Sequence, residues 1–373
     1  MNVLACASNF GLGPTGKLAS IVSKSLSIMK DDIKWYASGD KIDTAIFEKD
    51  IFVEKCWSRD EKQIVEFVRK YDIKVAVVIL DPDIAIILEK NGVKVFFVDS
   101  LPFLWTEADI VPFESTMYFA QKCVKMNQEA TRVINKVKNL KWINPIICEI
   151  GNSSISKRYK IVINLGGLHT SIGNNTGYIN LVIIPMIKQL QKIYKLNDIL
   201  ITCGTKAWIE VNDILKKNKI NGIDIKTLVQ KDFMNYVVNC DLFITSPGMT
   251  TIYETCKYDK DTILLPPQNL SQYYNSEFAK KLIKRMKLIK WNKEELNLDY
   301  LKQYFYLGED QVVDIIYKNI NIASKDIKYK EKLYKRIGDI LRRKYTERKV
   351  ICFDENGAET IVMELLKLDI MKE

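Results

Sequence analysis

Apolar residues in this chain gather in short unbroken runs more than in strict alternation. "NVLACA" at 2–7, "VAVVIL" at 75–80 and "VKVFFVD" at 93–99 have strand length, and helical spacing fills 14–29, behind Pro14 and Thr15, and 83–91. A second series repeats the pattern: "KIVINLGG" at 160–167, "DILITCG" at 198–204, "DLFITS" at 241–246 and "TILLPP" at 262–267, with helices near 178–195, 206–218 and 249–258 between them. Unbroken apolar strands are buried on both faces, as in a parallel sheet covered by helices. The small polar stretch "GNSSISKRY" at 151–159 parts the two series. Two βα series of similar size predict an α/β chain of two doubly wound domains. The expected bounds are 1–155 and 156–350, with a C-terminal helix in 351–373 that packs back toward the first domain.

Ligands of such sheets bind outside the carboxyl ends of the strands. Those ends carry Gly11 to Gly16, Asp81, Asp99, Gly166 and Gly167, Gly204, and Ser246 to Gly248, so two facing sets of loops predict an interdomain cleft. Two basic stretches, "KKLIKRMKLIK" at 280–290 and the segment 325–349, read as amphipathic surface helices. A solvated face is the first reading of both, and a weak contact with a membrane surface or another polyanion is the second.

Composition narrows the chemistry. The formal net charge is +10, from 56 basic and 46 acidic residues, modest for 373 residues. A lysine-rich composition is one reading and attraction to polyanions, anionic membrane or phosphorylated ligands the other, and no nucleic-acid partner is expected. Eight cysteines occur without a C-x-x-C pair, several inside apolar runs, the usage of a reduced compartment. His169 is the only histidine, so a histidine-based metal site is not expected. No run is long enough to span a membrane and the N-terminal segment lacks the features of a signal peptide, so a cytoplasmic location is expected.

Gly11 to Lys17 reads G-x-x-x-x-G-K, the start of a phosphate-binding P-loop, but Leu18 stands where a Ser or Thr would hold Mg²⁺. The loop also suits a plain strand-to-helix turn, in which glycines permit close backbone approach. Both readings stand on this segment alone.

The richest stretch is 240–282. A strand ends in Ser246-Pro247-Gly248, and a helix opens with Met249, Thr250 and Thr251. N–H groups and short hydroxyls at a helix N-terminus suit a diphosphate without a metal. Glu254 lies in the same first turns, placed for a ribose diol. After the next strand come Gln268, Asn269, Ser271, Gln272 and Asn275, neutral groups suited to sugar hydroxyls. Ser246 to Thr251 also make an ordinary helix start.

The order G-x-T-T-x-x-E, strand, P-x-Q, then Q-Y-x-N resembles the donor-binding half of GT-B glycosyltransferases of the MurG and UDP-glycosyltransferase type. "VQKDFMNYVVNCDLFIT" at 229–245 is similar to their short helix before this strand, "INLGGL" at 163–168 to their second-domain glycine loop, and "NGAETIVMELL" at 356–366 to their last helix. More narrowly, "GLGPTGKLAS", "DSLPFLW" and "LPPQNLSQYYNS" resemble cytosylglucuronate-synthase-like proteins. The resemblance implies two Rossmann-like domains and a UDP-sugar co-substrate, with no cofactor and no metal. Its implied donor residues are Gly166, Gly167, Ser246, Gly248, Met249, Thr250, Thr251, Glu254, Gln268 and Gln272. Gly11, Gly13, Thr15, Gly16, Lys17 and His169 then lie near the acceptor and diphosphate. The implied reaction is inverting, metal-independent transfer to a small-molecule acceptor, a nucleobase or nucleoside by the narrower likeness, and the glycine loop is read against ATP chemistry.

Relatives carry a base histidine after the first glycine loop, where this chain has Gly16 and Lys17. Asp99 is the replacement expected here, then Asp81, with Glu107 and Glu114 behind them; for both aspartates a helix cap or loop anchor is the competing role. Trp105, Phe103 and Tyr118 are placed to stack on a flat acceptor or to fill core. Alternatives to a transferase are a nucleotide-sugar hydrolase or epimerase, a P-loop ATPase or kinase, and a non-catalytic nucleotide-sugar binder. Glu254 stands alone where epimerases show a pair of acidic residues.

Overall fold

The structure, a computed structural model, describes residues 1–48, 51–150, 157–168, 175–351, 353 and 355–370. The chain forms two compact units, Met1–Glu149 with Phe353–Glu373, and Ile150–Cys352. The expected boundary near residue 155 falls outside the described residues.

The first unit holds seven strands: β1 (Asn2–Ala7), β2 (Lys34–Ser38), β3 (Phe52–Cys56), β4 (Val75–Ile79), β5 (Lys94–Asp99), β6 (Met117–Gln121) and β7 (Leu140–Ile143). They pair in the order β3-β2-β1-β4-β5-β6-β7, and every pairing is parallel. Apolar layers cover both faces of this sheet, which is why β4 is buried at all five positions. One layer includes the helix Gly13–Met29 and, from the far end of the chain, Ala358, Ile361, Val362 and Leu365 of the helix Gly357–Ile370. Lys24 pairs with Glu359 at 3.2 Å beside that contact.

The second unit holds β8 (Ile161–Asn164), β9 (Ile199–Thr202), β10 (Asp224–Lys226), β11 (Leu242–Thr245), β12 (Thr262–Leu264) and β13 (Met286–Leu288). They pair in the order β10-β9-β8-β11-β12-β13, again all parallel. Each sheet thus reverses direction beside its first strand, between β1 and β4 and between β8 and β11. That switch point is where open α/β sheets take their ligands.

Two helix expectations change. The stretch 280–290 is not one helix: the helix Leu270–Leu282 ends, and Met286–Leu288 pairs with β12 as the edge strand β13. Ile283, Met286 and Ile289 are buried, so the three-residue spacing that suggested a helix serves a turn and a strand instead. The helix expected near 178–195 runs over Thr176–Leu190 with a π-helical turn at Ile179–Ile183. That turn precedes Pro185, whose nitrogen has no hydrogen to donate. The basic segment is helical over Ile327–Arg342, with Tyr329, Leu333, Ile337 and Ile340 buried and its lysines outward, as a solvated face requires. Among the described residues no helix is long and apolar enough to cross a membrane.

Candidate active site

At the switch point of the second unit, three strand ends meet. β11 leads into Ser246-Pro247-Gly248, and Gly248, which has no side-chain oxygen to offer, takes the N-cap of the helix Met249–Lys257. The first-turn N–H groups therefore present the positive end of the helix dipole at the carboxyl edge of the sheet. Thr250 is buried there and Thr251 half-buried. β8 contributes Gly166, whose N–H donates to Asn164 Oδ1 at 3.1 Å, and Gly167. A Cβ on Gly167 would lie 2.7 Å from Gln272 Nε2 and 3.0 Å from Ser246 Oγ, so a side chain in this turn after β8 would have to shift Gln272 and Ser246.

The loop after β12 is locked by its own amides. Gln268 Nε2 donates to Ser246 Oγ at 3.2 Å, Gln268 Oε1 accepts from the Tyr317 hydroxyl at 3.2 Å, and the Gln268 N–H donates to Gln272 Oε1 at 2.9 Å. Asn269 caps the helix Leu270–Leu282 by accepting from the Gln272 N–H at 3.0 Å, and Ser271 Oγ donates to the same oxygen. Asn275 Nδ2 donates to the Pro247 carbonyl at 3.0 Å. Residues read from the sequence as sugar ligands are thus also the braces that shape the loop. Glu254 is buried, and its Oε1 accepts from Gln230 Nε2 at 3.0 Å. Gln230 opens the helix Gln230–Asn239 and was not singled out in the sequence. The sequence marks it only as part of the short helix before β11, not as a partner of Glu254. His169 lies outside the described residues.

The first unit has a different edge. Gly11 has φ +70°, and the helix begins at Gly13, so Thr15, Gly16 and Lys17 lie within its first turns and are buried. A P-loop needs an extended cradle up to the lysine, which a helix starting at Gly13 does not provide. Asp81 caps the helix Pro82–Lys90 through the Ile84 N–H at 3.3 Å and is clamped by Arg59 at 2.9 and 3.1 Å. Arg59 also reaches Asp40 at 3.1 Å and Asp83 at 3.3 Å. Burial raises the Asp81 carboxyl above its ordinary value, with Arg59 pulling the other way.

Asp99, at the end of β5, is wholly buried. Its Oδ1 accepts from the Leu101 N–H at 2.9 Å, and its Oδ2 from Trp105 Nε1 at 2.7 Å and the Tyr118 hydroxyl at 2.8 Å. Burial lifts its carboxyl to about 6, against the lowering effect of those three donors. Trp105 is half-buried, while Phe103 and Tyr118 are core. Glu107 faces Arg132 at 3.6 Å and Glu114 faces Lys138 at 2.7 Å, both on the surface.

No family model matches this chain, and no curated protein matches it. Solved structures do. A UDP-GlcNAc 2-epimerase from Methanocaldococcus jannaschii, in complex with UDP-GlcNAc and UDP, aligns over 99% of this chain and 100% of its own at 14% identity and a TM-score of 0.56. Arabidopsis thaliana UGT89C1, complexed with UDP, aligns over 98% and 99% at 11% identity and a TM-score of 0.54. Staphylococcus aureus MnaA, solved with UDP, aligns over 100% and 98% at 12% identity and a TM-score of 0.53.

The chain has the GT-B fold.

At these identities the likeness carries the architecture and not the reaction. The GT-B resemblance read from 230–282 is met at that level, by two Rossmann-like sheets of seven and six strands. Within the second GT-B unit, Gly167, Ser246, Gln268 and Gln272 are brought into one cluster. Glu254 forms a separate pair with Gln230. Within the first, Asp81 and Asp99 sit in separate networks, one ionic and one aromatic.

Proposed function

We propose that the protein binds a UDP-sugar through its second unit and transfers the sugar to a small-molecule acceptor taken by the first. The observation that carries this reading is the Ser246–Gly248 turn at the switch point, with a helix N-terminus whose cap residue makes no side-chain cap hydrogen bond and Glu254 buried in the same helix. The UDP found in the structures of several GT-B proteins supports the choice of nucleotide. The acceptor suggested by the narrower sequence resemblance is a nucleobase or nucleoside.

The proposed step is a single inverting displacement. The acceptor nucleophile forms a bond to the anomeric carbon while the bond from that carbon to the diphosphate oxygen breaks, and UDP leaves with the electron pair. The helix dipole and the first-turn N–H groups at Met249 to Thr251 stabilise the charge on the departing diphosphate. A preorganised positive end of this kind does the work for which other transferases use a metal. The proton lost by the acceptor passes to a carboxylate. Asp81 has its oxygens committed to Arg59 and to a helix cap. Asp99 has its oxygens committed as well, to Leu101, Trp105 and Tyr118, but all three donors are neutral where Asp81 is held by a cation. Asp99 is therefore the proposed base: its carboxyl, pushed up to about 6, suits proton uptake near neutral pH.

Calorimetric titration with UDP, and with ATP, GDP and dTDP as comparators, in Mg²⁺ and in EDTA, tests the donor site. UDP binding that survives EDTA and weakens in Glu254→Ala is the expected result. Binding of ATP alone, and only with Mg²⁺, would overturn the reading. An epimerase is the second reading, since one of the similar structures is such an enzyme. Epimerised sugar formed from UDP-GlcNAc without any acceptor would favour it, whereas a transferase leaves the sugar configuration at C2 unchanged.

A further inference from the structure

A cavity of about 600 Å³ lies in the second unit beyond the end of β13, separate from the Ser246–Gly248 turn. Its walls include Pro267, Tyr273, Trp291 and Tyr300, so one apolar or flat group meets three aromatic side chains. Two of these walls are held rigidly: Trp291 Nε1 donates to the Pro267 carbonyl at 2.7 Å, and the Tyr273 hydroxyl donates to the Leu296 carbonyl. The volume falls in the range of small-molecule sites.

Four charged side chains line the same cavity, and they divide into two kinds. Glu277 is paired with Lys280, and Asp299 with Lys302 at 2.7 Å. Lys290 and Glu294 line the cavity with opposite charges, and neither forms an ion pair with the other or with any other described residue. The cavity therefore offers one cation and one anion over an aromatic floor. A ligand with a single charge would satisfy one and face the like charge of the other.

We propose that this cavity is a second small-molecule site, taking a small zwitterion with a flat apolar body: carboxylate toward Lys290, ammonium toward Glu294, and ring against Tyr273, Trp291 and Tyr300. Nothing in the proposed sugar transfer uses these residues. Pro267 is the one cavity residue that also belongs to the loop holding Gln268.

The test is calorimetric titration of the full chain with L-phenylalanine, 2-phenylethylammonium, phenylacetate and the uncharged N-acetylphenylalaninamide. Phenylalanine should bind tighter than either singly charged probe by roughly fivefold, the scale of a rim ion pair. Lys290→Ala should remove the advantage over 2-phenylethylammonium, and Glu294→Ala the advantage over phenylacetate. Both residues are exposed, so neither change threatens the fold. Equal affinity for all four probes, no binding of any, or variants that leave the order unchanged would overturn the proposal. A parallel UDP titration separates the two sites. Phenylalanine binding without UDP binding supports the cavity and sinks the donor reading, whereas the reverse sinks the cavity alone.

Discussion

The two units share one strand order around their switch points, yet their carboxyl edges are chemically opposite. The edge of the second unit is built from neutral amides and hydroxyls that hold one another, around a helix N-terminus whose cap residue has no side chain. The edge of the first unit buries carboxylates, one clamped by an arginine and one held by a tryptophan, a tyrosine and a backbone N–H. The second edge has one buried carboxylate, Glu254, a turn into the helix and paired with Gln230. The first turn ahead of it carries no acidic residue, which suits an anionic ligand. An edge with raised carboxyl groups suits proton uptake. The lesson is that strand order places a site, and the strand-end side chains decide what it does.

The sharpest way to break this contrast is to neutralise Asp99. Under the proposed function, Asp99→Asn lowers kcat by roughly 10²- to 10⁴-fold, the range for removing a general base, while UDP affinity stays as in the wild type. Steady-state kinetics beside calorimetry reads both.

The same residue gives a pH signature in stability. Its folded carboxyl stands at about 6 against 3.8 for the ordinary side chain. A raised carboxyl means the folded state binds the proton more tightly, so this residue's contribution to stability is largest at low pH and falls as pH rises from about 4 through 6. The total loss is on the order of 3 kcal/mol, at about 1.4 kcal/mol per unit. Urea unfolding of the wild type and Asp99→Asn at pH 4, 5, 6 and 7 should show the difference between them changing over that window. A constant difference would leave Asp99 an ordinary anchor.

In the second unit, Glu254→Ala should weaken UDP by roughly 10- to 100-fold, as loss of a charged hydrogen bond to ligand would. The change should leave Asp99-dependent behaviour untouched. Gly167→Ala should cost about 1–3 kcal/mol of stability or the corresponding UDP affinity, because its methyl group must displace Gln272 or Ser246. Arg59→Met should lower stability by a comparable or smaller amount, since Asp81 is left buried while Arg59 itself is half in solvent. Thermal unfolding of both variants orders them.

Much of the fold was legible because strands buried on both faces must be apolar throughout. β1, β4, β5, β8, β9, β11 and β12 all show in the sequence for that reason. β10 and β13 are edge strands that are only partly buried, so no unbroken apolar run marks them, and Met286–Leu288 even mimicked a helix by its spacing. In the candidate site, the Ser246–Glu254 segment was readable because a strand, a turn without bulky side chains and a helix follow in one stretch. Gln230 was not, since it lies 24 residues from Glu254 in the chain and meets it only by folding.

By itself, the sequence determined the two βα series, the parallel character of their sheets and the turn at Ser246–Gly248, because these depend on local period and on residues next to one another. Tertiary structure alone decided which groups share an edge. It made Gln268 and Gln272 a brace between strand ends, gave Asp81 to Arg59 and Asp99 to Trp105, and ended the helix at Leu282 so that Met286–Leu288 forms a sheet edge. Those outcomes depend on contacts between residues far apart in the chain and on burial, which sets the cost of leaving a polar group or a backbone N–H without a partner.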